Sequence, residues 1–226
     1  MNFHTGLLNA LFAPTATQTP REKGKTSSER IVIRSAFPWR PNATDLEGNV
    51  VWYLNAASSA FLTRVVPGGH FLVHADGFNS ANDMKRWQLL QELDLLGNIV
   101  RETNISRIAE QLAERGIKSD CKKGSDQCLA GFHHETVRLP NGHTLVLAGL
   151  ERIFPAGTQG SKESVDILGD LIFDLDENLQ LAWFWNSFDH LDLKRASLGN
   201  EKCPAGPGAD ACHDGGSGVA RCGAHQ

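Results

Sequence analysis

The sequence lacks several features that would place the protein in common functional classes. Its 22 Lys and Arg residues are outnumbered by 26 Asp and Glu, giving a formal net charge of -4 at pH 7. No basic stripe can neutralise phosphates, so no nucleic-acid partner is expected. No apolar run approaches the roughly 20 residues that span a bilayer. Neither a metal site nor a cofactor is predicted, since no CxxC pair occurs and His213 stands beside Cys212 without a second spaced pair.

The N-terminus also lacks a good secretory signal. The apolar patch between residues 7 and 12 is interrupted by Asn9, and no charged segment precedes it. Polar residues rich in Pro, Thr and Lys follow up to residue 29. We therefore interpret residues 1–29 as a disordered leader.

The five cysteines are more than a reducing compartment usually favours. Cys121 and Cys128 flank one polar loop, and Cys203 and Cys212 flank another. Two local disulfides closing these loops would suit an oxidising, extracytoplasmic location, either periplasmic or secreted. The alternative is that these residues are free thiols in loops.

A first type of turn recurs along the chain. An Asp is followed after two or so residues by Gly-Asn or its equivalent and then by an apolar strand, and these residues suit positions where one strand reverses into the next. In the third copy Glu177-Asn178 replaces Gly-Asn, so Asn178 is expected in the left-handed region. The three copies are TDLEGNVVW (44–52), LDLLGNIV (93–100) and FDLDENLQLAW (173–183).

A second type of turn pairs RVVPGGHFLVH (64–74) with RLPNGHTLVL (138–147). Pro67 and Pro140 preset the first φ angle of the turn, while Gly69 and Gly142 supply the flexible corner. Short strands between regular turns indicate a sandwich, a barrel or a propeller. Alternation of the two turn types favours an all-β fold of the β-propeller kind, with about three blades represented.

One segment has helical rather than strand spacing. Apolar residues from Ile105 to Leu112 recur at helical intervals, Asn104 or Ser106 is a candidate N-cap, and Gly116 a stop signal. We interpret 104–130 as a helical and Cys-containing insertion between strands of one blade. The apolar face of its helix is expected to pack on the sheet.

Two longer segments resemble the arylsulfotransferase family of PAPS-independent aryl-sulfate sulfotransferases. They are FHHETVRLPNGHTLVLA (132–148) and WFWNSFDHLDLKRASLG (183–199), and with the Asp-type turns the resemblance covers roughly residues 40–212. It implies a six-bladed propeller with a His-rich funnel. It also implies ping-pong transfer of a sulfuryl group from an aryl sulfate to a phenol through a sulfohistidine, without a cofactor.

The resemblance also suggests site residues. His134 matches the family's first active-site histidine, with His133 as its neighbour, in a role that binds the sulfuryl group or the phenol oxygen. Consecutive strand residues face opposite sides, so one of the pair is expected to point to the core and the other to the funnel. Glu135, where the family commonly has Asp, and His190 are candidate substrate-binding residues.

Other histidines and tryptophans are given structural roles. His70, His74 and His143 are expected to serve the fold, the first and last as solvent-facing residues at strand starts. Trp52, Trp183 and Trp185 are expected to pack between blades.

These predictions divide the chain into a leader, a partial propeller over 30–199 and an irregular, aberrant C-terminal tail over 200–226. The family's nucleophilic histidine and active-site arginine have no matching segment here, so we expect a truncated form with an incomplete site. A propeller-type binding or scaffold module without chemistry is the alternative. Open propeller edges would favour self-association.

Overall fold

The computed structural model describes residues 30–35, 40–54, 59–76, 88–119, 126–158 and 162–193. The predicted leader (1–29) and tail (200–226) lie outside these residues, as do Cys121, Cys203 and Cys212. In the described part the chain forms three antiparallel sheets and two helices, which confirms the all-β class. The described sheets do not close into a ring.

Each sheet is a meander in which every strand pairs with the next one along the chain. The N-terminal sheet contains β1 (Ile31–Arg34), β2 (Asn42–Asp45) and β3 (Val50–Tyr53). The central sheet contains β4 (Ser59–Val66), β5 (His70–Asp76), β6 (Gln88–Leu93) and β7 (Ile99–Asn104). The C-terminal sheet contains β8 (Gln127–Arg138), β9 (Thr144–Phe154), β10 (Val165–Leu175) and β11 (Leu181–Asn186).

The predicted Asp-type turns are present and share one geometry. Asp45 accepts from the backbone of Gly48, and its own N–H donates to the carbonyl of Asn49 at 2.9 Å. Its carboxylate also accepts from the backbone and side chain of Asn49, each at 2.8 Å. Asp94 makes the same set of bonds with Gly97 and Asn98. The glycine has positive φ in both turns, which only glycine adopts without strain.

The third copy of this turn corrects the prediction for Asn178. Asp176 takes the Asp position and Leu179, with φ of 58°, takes the position of the glycine. Leu179 is 1% exposed and belongs to the main hydrophobic core. Burial of its side chain therefore overrides the local preference for Asn in the left-handed region.

The second type of turn is not a separate class at Leu139–His143. The N–H of Leu139 donates to the carbonyl of His143, and Gly142, at φ of 88°, donates to the carbonyl of Leu139. This is the same backbone pattern as in the Asp-type turns. The side chain of Asn141, which accepts from the N–H of His143 at 3.1 Å, performs the capping.

Helix α1 (Ile105–Glu114) begins as predicted, because the Asn104 side chain accepts from the N–H of Arg107 at 2.8 Å. The insertion prediction is wrong, however, since the helix connects β7 to β8 and so joins two sheets. Ile105, Ile108 and Leu112 are buried against β6 and the C-terminal sheet, which confirms the predicted packing face.

The core fills the space between α1, β6 and the inner face of the C-terminal sheet. Alternate residues of β10 are buried, as expected of a strand with one face in the core. A smaller cluster of Leu54, Phe71, Val73 and Leu93 joins the N-terminal and central sheets. Trp52 stacks on Phe71 there with ring centroids 4.8 Å apart, so its predicted packing role is confirmed.

The prediction for the other tryptophans is wrong. Trp183 is 53% exposed, because it lies on the outward face of the edge strand β11. Trp185 stacks on His190, which lies in the short helix α2 (Ser187–His190). Neither ring lies between two of the described sheets.

Candidate functional site

Strand β8 is distorted where the predicted histidines lie. Its pairing with β9 shifts register twice, between Leu129 and Gly131 and again between His133 and Thr136. The second shift leaves His134 and Glu135 without partners on β9. Such bulges redirect side chains and are common next to functional sites.

A side chain from the central sheet holds β8 in this form. The Gln88 amide donates to the carbonyl of Phe132 at 2.8 Å, and its oxygen accepts from the Phe132 N–H. Gly131, at φ of 153°, leaves room for this contact, since a Cβ there would lie 2.7 Å from the Gln88 oxygen. Gln88 thus supplies Phe132 with the hydrogen bonds of a neighbouring strand.

The bulge brings the two predicted histidines together instead of separating them. His134 has φ of 53°, and its Nδ1 lies 2.7 Å from the Nδ1 of His133. The expectation that one ring points to the core is wrong, because the unpaired residues break the alternation of the strand. His134 is exposed and His133 is half-buried.

Asp170 on β10 supports the pair from behind. Its Oδ1 lies 3.1 Å from the Nε2 of His133, so the imidazole spans β9 to reach it. Gly149 on β9 pairs with Asp170, and a Cβ at Gly149 would lie 3.9 Å from the His133 ring. The His133 ring therefore passes within van der Waals distance of this position, whose tightest contact would be the Leu168 side chain at 3.2 Å.

A third histidine lies below the pair. His74 on β5 is 6% exposed and its Nε2 lies 2.7 Å from the hydroxyl of Thr136. Burial, together with the nearby His133 and His134, lowers the pKa of His74 to about 4. His74 is therefore neutral at pH 7, and the predicted structural role fits its buried hydrogen bond. We call His74, His133, His134, Thr136 and Asp170 the histidine site.

The remaining predicted site residues lie around it or apart from it. Glu135 is bound by Arg64 of β4 at 2.8 Å, and both side chains are about half exposed. His190 stacks on Trp185. The structure adds Asp170, Arg64 and Thr136 to the neighbourhood of the histidines. Sequence reasoning missed their involvement, because strand register brings Asp170 there and packing of the central sheet on β8 brings Arg64 to Glu135 and His74 to Thr136.

The predicted structural histidines are held by carboxylates rather than facing solvent freely. His70 Nδ1 lies 2.8 Å from Glu92 Oε1, and His143 Nδ1 lies 2.9 Å from Asp174 Oδ1. Glu92 is also bound by Arg101 of β7 and by Arg138 of β8. Burial favours the neutral carboxyl, yet the bonds from His70 and Arg101 and the charges of Arg138 and Arg101 outweigh it and keep the pKa of Glu92 below its usual value. This cluster ties β8 to the central sheet.

In the described ranges no group of three or more His, Cys, Asp and Glu side chains is arranged to hold a metal ion. No helix of the described chain has the length and apolarity needed to cross a membrane. The chemistry available at the site is that of imidazole and carboxylate: hydrogen bonding, proton transfer and stabilisation of charge.

These features define an all-β protein whose three antiparallel sheets carry a histidine site on a bulged strand. The family model for arylsulfotransferase (ASST) matches residues 16–215, and the chain therefore belongs to the arylsulfotransferase family. Membership confirms the resemblance drawn from the 132–148 and 183–199 segments. No curated protein matches the chain significantly.

Proposed function

We propose that the histidine site forms part of a sulfuryl-transfer site, in which His134 contacts the phenol oxygen or the sulfuryl group. The family supports an arylsulfotransferase-type function, with an aryl sulfate as donor and a phenol as acceptor. The observation that carries the proposal is the bulge at His134 and Glu135, which brings His133 and His134 together with Asp170 behind them. An exposed imidazole supported in this way suits an oxygen that gains or loses charge.

The proposed reaction proceeds in two steps through a sulfohistidine. A nucleophilic histidine takes the sulfuryl group from the aryl sulfate, the first phenol leaves, and the acceptor phenol then attacks the sulfur. The proposal assigns the nucleophile to a residue outside the described part of the chain. Arg64 carries a positive charge beside Glu135, the residue after His134, and is a candidate to approach the sulfuryl oxygens.

The proposed architecture is a β-propeller whose blades are the three meander sheets. Support comes from the repeated four-stranded order in the central and C-terminal sheets and from the shared turn geometry. Small-angle scattering of the protein tests this, because a propeller fragment gives a wedge-shaped envelope. A profile that fits two stacked sheets would favour a sandwich.

We also propose the Cys121–Cys128 disulfide, a Cys203–Cys212 disulfide and an extracytoplasmic location. Support for the first pair comes from Leu129, whose N–H donates to the carbonyl of Ser119 at 3.2 Å and so holds the two ends of the loop together. Peptide mapping of the unreduced protein tests the pairing. Alkylation of all five cysteines without prior reduction would contradict it.

Self-association is proposed through the outer strand of the N-terminal sheet. On β1 the side chains of Ile31, Val32 and Ile33 are 56%, 45% and 38% exposed, and an unpaired apolar edge invites pairing with another chain. Sedimentation at increasing concentration tests this. A single monomeric species throughout would contradict it.

Binding of 4-nitrophenyl sulfate to the purified protein tests the function. We expect chemical-shift changes at His133 and His134, and His134→Gln is expected to weaken binding about tenfold, the loss of one strong polar contact. His143→Gln is the matched control, because His143 is also paired with a carboxylate of β10 but lies outside the histidine site. The control is expected to bind like the unchanged protein.

Turnover gives a second readout of the same proposal. Nitrophenol release with a phenol acceptor is expected to be absent, because the nucleophile is assigned to none of the described histidines and no segment of the sequence matches the one that carries it in the family. Rapid release that His134→Gln abolishes, but that substitution of the histidines outside the described residues does not, would overturn that assignment. Equal binding by the unchanged protein and His134→Gln would favour a scaffold module instead.

A further inference from the structure

We infer that Asp170 and His133 are positioning residues that fix the protons of the histidine site, so that the Nε2 of His134 is left unprotonated and accepts the proton of the incoming phenol. This inference rests on the proposed function and adds to it the role of each ring nitrogen. It is carried by two distances along one line of atoms, from Asp170 through His133 to His134.

The proton positions follow from what each group can donate. An ionised carboxylate only accepts, so the His133 Nε2 that lies 3.1 Å from Asp170 carries a proton. A neutral imidazole carries one proton, which leaves the Nδ1 of His133 as an acceptor. The Nδ1 of His134, at 2.7 Å, must then donate. The single proton of His134 is thereby used, and its Nε2 keeps a lone pair.

The backbone fixes the positions of Asp170 and His134 relative to His133. The N–H of Asp170 donates to the hydroxyl of Ser187 at 2.9 Å, which ties this residue to the start of α2. Gly169, next to it, has no room for a Cβ, which would lie 2.6 Å from the same hydroxyl oxygen. On β8 the positive φ of His134 turns its ring towards His133.

Charged and titratable groups lie around His134 on β10, β8, β4 and β5. Asp170 on β10 supplies a negative charge through His133. Glu135 of the bulge and Arg64 of β4 offset each other. His74 of β5 lies below the pair as a neutral group at pH 7, because burial and the two neighbouring histidines lower its pKa to about 4.

The chemical step balances without a further reactant. The O–H bond of the acceptor phenol breaks and its proton passes to the Nε2 of His134, while the electron pair stays on oxygen. That oxygen forms the new bond to sulfur as the bond between sulfur and its carrier breaks, with the pair going to the carrier. In reverse, protonated His134 supplies a proton to a leaving phenolate.

The experiment is to read the tautomers directly by ¹⁵N NMR of histidine-labelled, substrate-free protein. We expect His133 protonated at Nε2 and His134 protonated at Nδ1 with a lone pair at Nε2. His133→Gln and His134→Gln assign the signals. A proton on the Nε2 of neutral His134 would overturn the inference whatever the protein binds.

Variants of the carboxylate separate positioning from general stability. Asp170→Ala is expected to abolish the fixed tautomer of His134, whereas Asp170→Asn is expected to retain it, because an amide oxygen still accepts. Asp174→Ala, the matched change at the His143 pair on the same strand, is expected to leave His134 unchanged. An unchanged His134 tautomer in folded Asp170→Ala would contradict the inference.

The failures of the two ideas can be told apart. The tautomers are measured without substrate, so a protein that binds no aryl sulfate but shows them refutes the proposed function alone. A protein that binds aryl sulfate through His134 but shows the opposite tautomers refutes the proton arrangement alone.

Discussion

The central and C-terminal sheets are two versions of one four-stranded meander. Each places a histidine directly after its first turn, His70 in one and His143 in the other, and each pairs that histidine with a carboxylate of its third strand, Glu92 or Asp174. The difference lies in the first strand. In β4 the register shift leaves one residue unpaired, between Leu62 and Arg64, whereas the corresponding shift in β8, between His133 and Thr136, leaves two, and β8 has a further shift between Leu129 and Gly131. The candidate chemistry is therefore carried by extra residues on a shared scaffold.

The two carboxylates differ in how strongly the fold depends on them. Glu92 lies opposite Arg101 of the neighbouring strand β7 and also forms an ion pair with Arg138 of the C-terminal sheet. At the position opposite Asp174 the chain has Trp183, which is mostly exposed. The carboxylate of the central sheet thus joins two sheets, and that of the C-terminal sheet serves one turn.

The largest expected effect is that of Glu92→Gln. Removing this charge leaves Arg101 and Arg138 partly buried without their anion, which is expected to lower the free energy of unfolding by about 3 kcal/mol. Asp174→Asn, the matched change, is expected to cost less than about 1 kcal/mol because its pair is more exposed. Urea unfolding at pH 7 measures both. Similar losses would show that the two carboxylates contribute equally to the free energy of unfolding.

Next in size is a pH effect confined to the central sheet. The pKa of His74 falls from 6.5 to about 4 on folding, so the unfolded chain binds a proton between these values and the folded chain does not. The stability is fully present above pH 6.5 and is lost as pH falls towards 4, by about 2 kcal/mol between pH 7 and pH 5. The matching position four residues after His143 is Leu147, which does not titrate.

Unfolding measured across this pH range checks the assignment. His74→Gln is expected to flatten the curve, since the amide can still bond to Thr136 but does not titrate in this range. His190→Gln, a change at an exposed histidine, is expected to keep the slope of the unchanged protein. If both variants kept that slope, His74 would not be the source.

The smallest expected effect concerns the last turn of each sheet. Gly97→Ala is expected to cost about 1 kcal/mol, because φ of 83° is unfavourable for a residue with a Cβ and the contact of the new methyl with Leu54 Cδ1, at 3.6 Å, offsets only part of that cost. Leu179 tolerates the same region through its burial. Leu96→Ala, beside Gly97 and 87% exposed, is the control and is expected to change the melting temperature little. A neutral Gly97→Ala would mean that the turn can relax.

The sequence predicted those features that depend on near neighbours. Short patterns were enough to predict the turns at Asp45 and Asp94 and the start of α1 at Asn104. They also identified His133 and His134 as candidate site residues. The bulge in β8 could not be predicted, because it depends on how β8 pairs with β9 and on Gln88 from another sheet. Asp170 was missed for the same reason, since its place beside His133 is set by register. At the third turn the local preference for Asn in the left-handed region gave the wrong residue, because burial of the Leu179 side chain decided which residue takes that conformation.

The clamp between Gln88 and Phe132 has a consequence for the order of folding. These residues are 44 positions apart, so β8 reaches its bulged form only after a loop of that length has closed. Strand β6 precedes β8 and leaves the ribosome first, so the central sheet is available as a template when β8 is synthesised. We therefore expect Phe132, the residue before His133, to be fixed only after the central sheet has formed.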